Sequence, residues 1–281
     1  MTARSPRRRF KRVGLVLKAY TKGLVDHGAL IIRQLERAGI EVTVDENVAA
    51  IFPKEETARV HDMKVDLIVT LGGDGTILRV LQQNPAPLFA INAGIMGFLA
   101  EAPLARAEES LARILKGDYV EDRKMRLQPK LNGKNLPACV NEVVLHTSSV
   151  AKMIHLEVMR EANLVHRYRA DGLIIATPTG STSYNLSVGG PIIDPDVEAF
   201  VLSPIAPFTL SSRPIVFPAK SHVEVRMVAD RPATVVLDGQ IERPFGIDDA
   251  LSVTRARSDA VFLRFSRDFY KRLHEKHAIS I

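Results

Sequence analysis

The chain of 281 residues is 46% hydrophobic and 25% charged, as is usual for globular proteins, and its length suggests two domains. Its apolar stretches are shorter than the roughly 18–20 residues that cross a bilayer, which excludes a membrane-spanning helix and makes a membrane partner unexpected. The net charge of +6 equals the charge of the six Lys and Arg residues in a basic arm, residues 1–12, so the rest of the chain is neutral and no nucleic-acid partner is expected.

The basic arm lacks the long apolar segment of a secretory signal, so a cytoplasmic location is expected. The single cysteine, Cys139, lies in an apolar run and is predicted to be a buried packing residue.

The first part of the chain alternates short apolar segments with helical spacing. Predicted strands lie at residues 13–17, 42–44, 67–71 and 88–91. A helix between the first two strands is predicted to stop at Gly39. This alternation predicts a Rossmann-like α/β domain over residues 1–118, with a parallel sheet that binds ligands beyond the carboxyl ends of its strands.

After Gly117 the pattern changes to successive strands. They are predicted at residues 125–129, 138–145, 154–159, 173–176, 223–228, 234–237, 251–254 and 261–265. The pairs Asn132-Gly133 and Asp238-Gly239 are typical of tight turns between strands. We therefore expect a β-rich domain over residues 119–264. Within the remaining residues, 265–281, a helix over residues 268–277 could return to the first domain.

A glycine-rich turn follows the predicted strand at residues 67–71. Its glycines, Gly72, Gly73 and Gly75, would let backbone approach a phosphate, and a helix starting near Thr76 would point its N–H groups at the same place. Asp74 would repel phosphates in a simple binding site, but it fits if it accepts a proton from an attacking hydroxyl or holds a metal ion. A turn in which Asp74 only caps the helix is the structural alternative.

Two further segments carry polar groups that suit a ligand. In residues 169–187 a strand runs into a turn and then into a series of hydroxyl, phenol and amide side chains, which suits a base, a sugar and their linking phosphates. Asn141 and Glu142 interrupt an apolar strand, and a buried carboxylate without a partner is costly. Glu142 is therefore expected to meet a ligand hydroxyl, an amide or a cation, with an internal ion pair as the alternative.

Several well-known catalytic motifs are missing from the sequence. There is no phosphate loop of the Gly-x-x-x-x-Gly-Lys-Ser/Thr type and no Gly-x-Gly-x-x-Gly dinucleotide fingerprint. His-Glu-x-x-His and Gly-x-Ser-x-Gly are absent as well. Phosphate-loop NTPases, ordinary Rossmann dehydrogenases, zinc peptidases and serine hydrolases are thereby disfavoured.

Taken together and in this order, the glycine turn, Asn141-Glu142, residues 171–187 and Asp238-Gly239-Gln240 resemble the NAD kinase family over nearly the whole chain. The resemblance implies transfer of a phosphoryl group from ATP, or from polyphosphate, to the 2′-hydroxyl on the adenosine ribose of NAD to make NADP. It further implies Mg²⁺ or another divalent cation with ATP, no metal site built from protein ligands, and a homodimer or homotetramer.

The resemblance also implies roles for individual residues. Asp74 would be the catalytic proton acceptor, and Gly72, Gly73 and Thr76 would form the phosphate-binding turn. Asn141 and Glu142 would hold the adenosine ribose, and Asp171 the nicotinamide end. The remaining residues expected to bind NAD are Gly75, Arg79, Lys152, Arg169, Thr182, Ser183, Tyr184, Asn185, Leu186, Ser187 and Gln240.

The chain departs from the family pattern at Ser183, where Ala is usual, and at Phe208, where His is frequent. Neither residue touches the expected proton acceptor.

Two other functions compete with NAD phosphorylation. One is a lipid kinase of the diacylglycerol type, which shares the glycine turn, and the other is a non-catalytic module that senses NAD.

Overall fold

The computed structural model describes residues 10–18, 22–94, 97–150, 152–229 and 231–276. They form two compact units, of which the first runs to Arg123 and resumes at Ala260, and the second is Lys124–Asp259. The first unit is α/β and the second is β-rich, which confirms the fold class predicted from the sequence. Residues 1–9 of the basic arm lie outside the described residues.

The first unit is built on a parallel sheet. Its elements are β1 (Arg12–Leu17), α1 (Lys22–Arg37), β2 (Glu41–Asp45), β3 (Glu56–Ala58), β4 (Leu67–Gly72), α2 (Asp74–Gln83), β5 (Leu88–Asn92), β6 (Ala102–Pro103), α3 (Ala107–Leu115) and β7 (Val120–Lys124).

The second unit contains two antiparallel sheets. Its elements are β8 (Leu127–Leu131), β9 (Lys134–Asn135), β10 (Glu142–Thr147), β11 (Ile154–Arg160), β12 (Asn163–Ala170), β13 (Gly172–Ala176), α4 (Tyr184–Ser187), β14 (Ala199–Ile205), β15 (Ile215–Pro218), β16 (Val223–Met227), β17 (Ala233–Leu237), β18 (Ile241–Phe245) and β19 (Ala250–Arg255). The chain then returns to the first unit with β20 (Ala260–Arg264) and α5 (Phe269–Lys276).

The sheet of the first unit has the order β3-β2-β1-β4-β5-β20-β7, with β6 paired to β5. Strands β1, β4 and β5 are almost entirely buried, as expected when helices cover both faces of a parallel sheet. Helix α1 buries Leu24, Ile31 and Leu35, which share one face. The helix ends before Gly39, whose φ of +70° is the left-handed conformation that closes many helices.

In the second unit, one sheet has the order β15-β14-β13-β10-β17-β18 and the other β12-β11-β16-β19-β8-β9. The predicted turns are confirmed, since Asn132-Gly133 joins β8 to β9 and Asp238-Gly239 joins β17 to β18, all four residues with positive φ. Cys139 is fully buried, also as predicted.

Several strand boundaries differ from the sequence prediction. The strand expected at residues 138–145 begins only at Glu142, because the three main-chain N–H groups from Val140 onward point at a side chain and not at a neighbouring strand. The strand expected at residues 261–265 was assigned to the β-rich domain, but β20 pairs with β5 of the parallel sheet. The sequence analysis did not predict β3, β6, β7, β9, β12, β14, β15 and β18.

Among the described residues, we find no helix with the length and apolar character needed to traverse a lipid bilayer.

Candidate active site

The glycine turn lies at the carboxyl edge of the parallel sheet. Strand β4 ends at Gly72, opposite Asn92 at the end of β5. Helix α2 begins at Asp74, two residues earlier than predicted, with Gly73 as its N-cap residue. The N–H groups of Thr76 and Ile77 donate to the Gly73 carbonyl at 3.0 and 3.2 Å, so the first turn of the helix closes directly on the glycine.

The Asp74 carboxylate is held by main-chain N–H groups of a second loop. Phe98 N–H donates to Oδ2 at 3.0 Å and Leu99 N–H donates to Oδ1 at 3.4 Å. Gly97 is required for this approach, because a Cβ on Gly97 would lie 1.9 Å from Oδ1 of Asp74. The two N–H donors fix the carboxylate in place. Because Asp74 is only partly buried, it remains accessible to a ligand.

Sequence reasoning missed the loop of residues 97–99. The signal that could have found it is Gly94 and Gly97 just after β5, the strand beside β4. Asn92, which ends β5, is 3% exposed and donates to the Gly94 carbonyl at 2.6 Å. Its Oδ1 is buried and accepts no hydrogen bond from the described residues, so a polar acceptor is unused beside the turn.

Arg79, expected near phosphate or NAD, extends from α2 to the end of β2. Its Nη2 lies 2.6 Å from Oδ2 of Asp45, a carboxylate that is 1% exposed. Arg79 is therefore held by an ion pair to a buried side chain.

The described residues contain no group of three or more His, Cys, Asp or Glu side chains arranged to hold a metal ion.

In the second unit, Asp238 organises the segment of Asn141 and Glu142. Its carboxylate accepts hydrogen bonds from three consecutive N–H groups, those of Val140, Asn141 and Glu142, at 2.8, 2.8 and 3.0 Å. Asp238 is 3% exposed. The motif Asp238-Gly239-Gln240 contains this aspartate, but only Gln240 was expected to bind NAD.

Glu142 is a buried carboxyl group with unused hydrogen-bonding capacity. It is 6% exposed, and its Oε2 has no hydrogen-bond partner among the described residues. Burial, reinforced by the Asp238 charge and opposed by a hydrogen bond from the Ser183 side chain, raises the pKa of Glu142 to about 8. The Oδ1 atom of Asn141 is also buried and has no hydrogen-bond partner in the part of the chain that the structure describes. The internal ion pair considered for Glu142 is not formed within the described part of the chain.

The polar turn after β13 packs directly on this segment. The Thr177 hydroxyl donates to the Val140 carbonyl at 2.5 Å and accepts the Gly180 N–H at 3.0 Å. A Cβ on Gly180 would lie 2.1 Å from the Asn141 carbonyl oxygen, so only glycine allows the approach. The structure thus brings Asn141 and Glu142 together with the turn that carries Thr182, Ser183 and Tyr184.

Asn185 uses its side chain for the turn itself. Its Nδ2 donates to the carbonyls of Ser181 and Pro191, both at 3.1 Å, and its Oδ1 accepts the Ser203 hydroxyl at 2.6 Å. Since Asn185 is fully buried, its amide is committed to protein partners. Its contact with NAD stays a prediction. Tyr184 is 38% exposed, and Leu186 and Ser187 are accessible as well.

The other predicted NAD-binding residues are spread over the second unit. Asp171 is partly exposed at the junction of β12 and β13. Arg169 stacks on the ring of Phe208, 4.4 Å from its centroid, so the unusual aromatic residue gives this arginine a cation–π partner. Lys152 and Gln240 are exposed.

Comparisons with known proteins agree with this architecture. Residues 13–119 match the family described as the ATP-NAD kinase N-terminal domain, and residues 140–265 match the ATP-NAD kinase C-terminal domain. A curated NAD kinase from Methanothermobacter thermautotrophicus is 38% identical over 271 residues, which are 94% of this chain and 95% of the relative. The NAD kinase from Pyrococcus abyssi is 32% identical, over 95% of this chain and all of the relative.

Two solved structures share the fold. An NAD kinase from Archaeoglobus fulgidus in complex with ATP has a TM-score of 0.79 and 30% identity, covering 94% of this chain and 98% of its own. Yeast NADH kinase complexed with NADH has a TM-score of 0.89 and 24% identity, covering 96% and 88%. The fold and the glycine turn, together with these matches, define a phosphotransferase. The chain belongs to the NAD kinase family, which confirms the resemblance seen in the sequence.

Proposed function

We propose that the chain transfers the γ-phosphoryl group of ATP to the 2′-hydroxyl on the adenosine ribose of NAD, producing NADP and ADP. Membership of the NAD kinase family supports this activity. The observation that carries the mechanism is the Asp74 carboxylate, fixed by two main-chain N–H groups at the carboxyl edge of the sheet and at the first turn of α2.

Asp74 is the proposed proton acceptor. As the ribose oxygen bonds to the γ-phosphorus and the bond from that phosphorus to the oxygen of ADP breaks, the hydroxyl proton passes to the carboxylate. General-base catalysis of this kind contributes roughly 10²–10⁴-fold in rate. The loop of residues 97–99 orients the carboxylate, and the side of Asp74 that remains accessible faces the reacting hydroxyl in this proposal.

Phosphoryl transfer depends mainly on positioning and on neutralising charge. The glycine turn, with Gly72, Gly73, Gly75 and Thr76, is proposed to place main-chain N–H groups of the first turn of α2 against the donor phosphates. The divalent cation is expected to arrive on ATP, as part of that substrate. Beside the turn, Oδ1 of Asn92 is a hydrogen-bond acceptor that has no partner among the described residues.

The second unit supplies the proposed recognition of NAD. At neutral pH a carboxyl group with a pKa of about 8 is mostly protonated, so Glu142 can donate a hydrogen bond to a ribose oxygen. Asn141 offers its unpaired Oδ1 to a hydroxyl or an amine. Tyr184, Ser183 and Asp171 are proposed to contact the adenine and nicotinamide parts of the dinucleotide.

Three broader features belong to the same proposal. Inorganic polyphosphate is the proposed second donor, the enzyme works as a homodimer or homotetramer, and it acts in the cytoplasm. Light scattering of the purified chain would test the assembly, and cell fractionation would test the location.

The first experiment measures NADP formation from NAD, ATP and Mg²⁺ with an NADP-specific dehydrogenase. Parallel reactions replace ATP with polyphosphate, replace NAD with NADH, or omit Mg²⁺. Robust formation of NADP that requires the cation is expected, and the donor reactions rank ATP against polyphosphate. Folded protein that binds NAD but forms no NADP with any donor would overturn the activity.

A further inference from the structure

Arg264 of β20 and Arg272 of α5 form a cluster of charges with Asp122 of β7 and with Glu101. Glu101 ends the loop of residues 97–101, which contains the residues that bind Asp74. Arg264 of β20 places Nε 2.8 Å from Oδ2 of Asp122 and Nη1 3.2 Å from Oε2 of Glu101. Arg272 of α5 pairs with the same Glu101 oxygen. The side chains of Arg264 and Glu101 are each 5% exposed, so this pair is shielded from water.

Both arginines also donate hydrogen bonds to main-chain carbonyls of the loop of residues 97–101. Nη2 of Arg264 donates to the Leu99 carbonyl at 3.2 Å, and Nη1 of Arg272 donates to the Ala100 carbonyl at 2.7 Å. Glu101 ties the loop to β20 and to β5, because its Oε1 accepts the Phe265 N–H at 2.8 Å and its own N–H donates to the Ala90 carbonyl at 2.8 Å.

These contacts lead directly to the proposed proton acceptor. The N–H group of Leu99 donates to Asp74, and the Leu99 carbonyl accepts a hydrogen bond from Arg264. We propose that Arg264, Arg272 and Glu101 are positioning residues that set the Phe98 and Leu99 N–H groups, and through them the Asp74 carboxylate, in the reactive geometry. This inference rests on the proposed role of Asp74.

Physical chemistry favours a positioning role over a simple contribution to stability. A buried ion pair gains little over well-packed apolar side chains of the same volume, since removing charges from water is costly. Forked arginine donors instead impose direction on what they bind, and here they bind two successive carbonyls of one loop.

Arg272 is the best residue to change, because its side chain is 21% exposed and its loss leaves Arg264 paired with Glu101 and Asp122. In Arg272→Ala we expect kcat to fall about 10-fold or more while the KM values for NAD and ATP stay within about twofold, as for an interaction that matters in the transition state. Arg272→Lys should recover part of kcat, because an ammonium can pair with Glu101 but lacks the fork that also reaches Ala100.

Controls with matched stability separate positioning from general destabilisation. Ile31 is fully buried in α1, and Ile31→Val and Ile31→Ala provide a graded loss of Tm. These variants should keep wild-type kcat at temperatures below their transitions. If Arg272→Ala keeps wild-type kcat, or loses no more than an Ile31 variant with the same Tm, the positioning role is overturned.

A double variant separates this inference from the role of Asp74. If Asp74→Asn alone keeps full turnover, Asp74 is not the proton acceptor and the inference fails with it. If Asp74→Asn reduces turnover, Arg272→Ala should cause little further loss in that background, because both changes remove the same function. A full and multiplicative loss in the double variant would contradict positioning through Asp74 while leaving the role of Asp74 intact.

Discussion

Each unit contains one carboxyl group central to the proposed reaction, and the two have opposite surroundings. Asp74 in the first unit is partly exposed and faces two main-chain N–H donors. Glu142 in the second unit is buried, and its Oε2 finds no partner among the residues described. Burial and, after it, the Asp238 charge raise its pKa. The N–H groups near Glu142 are already taken by Asp238.

The surroundings of the two carboxyl groups thus suit them to different tasks. A carboxylate oriented by fixed donors and open to a ligand is suited to accept a proton. A buried carboxyl group whose pKa is raised is suited to recognise a ligand by hydrogen bonding. Four experiments test whether the two groups differ in this way.

The largest effect is expected at Asp74. Asp74→Asn should keep the fold and lower kcat by at least about 10²-fold, because the amide cannot accept the proton. Steady-state kinetics measures the loss and circular dichroism checks the fold. Asp66 is the matched control, since its carboxylate also accepts two main-chain N–H groups, from Lys11 and Arg12 at 2.9 Å each. Asp66→Asn should leave kcat unchanged, and a fully active Asp74→Asn enzyme would remove Asp74 from the mechanism.

Gly97 tests whether the approach of the loop to Asp74 matters. In Gly97→Ala, the new Cβ would overlap the Asp74 carboxylate, so the loop or the carboxylate must move, and we expect kcat to fall by about 10-fold or more. Gly94→Ala is the control, because a Cβ there meets no atom of the described residues within 4 Å. Equal kinetics for the two variants would show that the geometry around Asp74 is not critical.

Glu142 should affect binding more than turnover. We expect Glu142→Ala to weaken NAD binding by about 10-fold, or roughly 1.4 kcal/mol, with a smaller change in kcat. Glu142→Gln should be milder, because it keeps a donor and an acceptor of similar shape. Isothermal titration calorimetry with NAD provides the measurement. A loss confined to kcat, with unchanged affinity, would contradict the assigned task.

The smallest effect is a pH dependence of stability. The pKa of Glu142 is raised from the ordinary value of 4.5 to about 8, so between those values the folded chain holds a proton that the unfolded chain has released. The free energy of unfolding should therefore contain a component that is fully present below pH 4.5 and is lost as pH rises through 8. The Glu142→Gln variant lacks this component. The difference between its Tm and the Tm of the wild type should therefore increase by about 2–5 °C from pH 5 to pH 8. Glu242→Gln, at an exposed position on β18, should show no such drift.

The sequence was informative wherever a feature depended on neighbouring residues. The glycine turn after β4, the stop at Gly39 and the two tight turns in the second unit are local features, and their glycines identify them. The turn that contains Thr177 and Gly180 was also correctly recognised as a polar turn after a strand.

Features that depend on distant contacts could not be read in this way. The donors for Asp74 come from residues 24 and 25 positions away, and the Asp238 carboxylate reaches back across 96 to 98 positions. Strand β12 was missed because its side chains are mostly exposed and polar, without clear alternation. Asn185 is a different case, since its amide suggested a ligand contact and the structure shows that it bonds to buried partners within the protein, while its contact with NAD stays a prediction.

The position of β20 between β5 and β7 has a consequence for synthesis of the chain. The second unit is inserted within the first, so the strand that joins β5 to β7 leaves the ribosome only after the whole β-rich unit has been translated. Until then the start of β5, at Leu88, lacks its β20 neighbour, while β6 already pairs with Ile91 and Asn92 at the other end of the strand. An unpaired stretch of strand edge is the kind of surface through which nascent chains associate wrongly. Completion of the parallel sheet is thereby among the last events of biosynthesis, although most of its strands are made first.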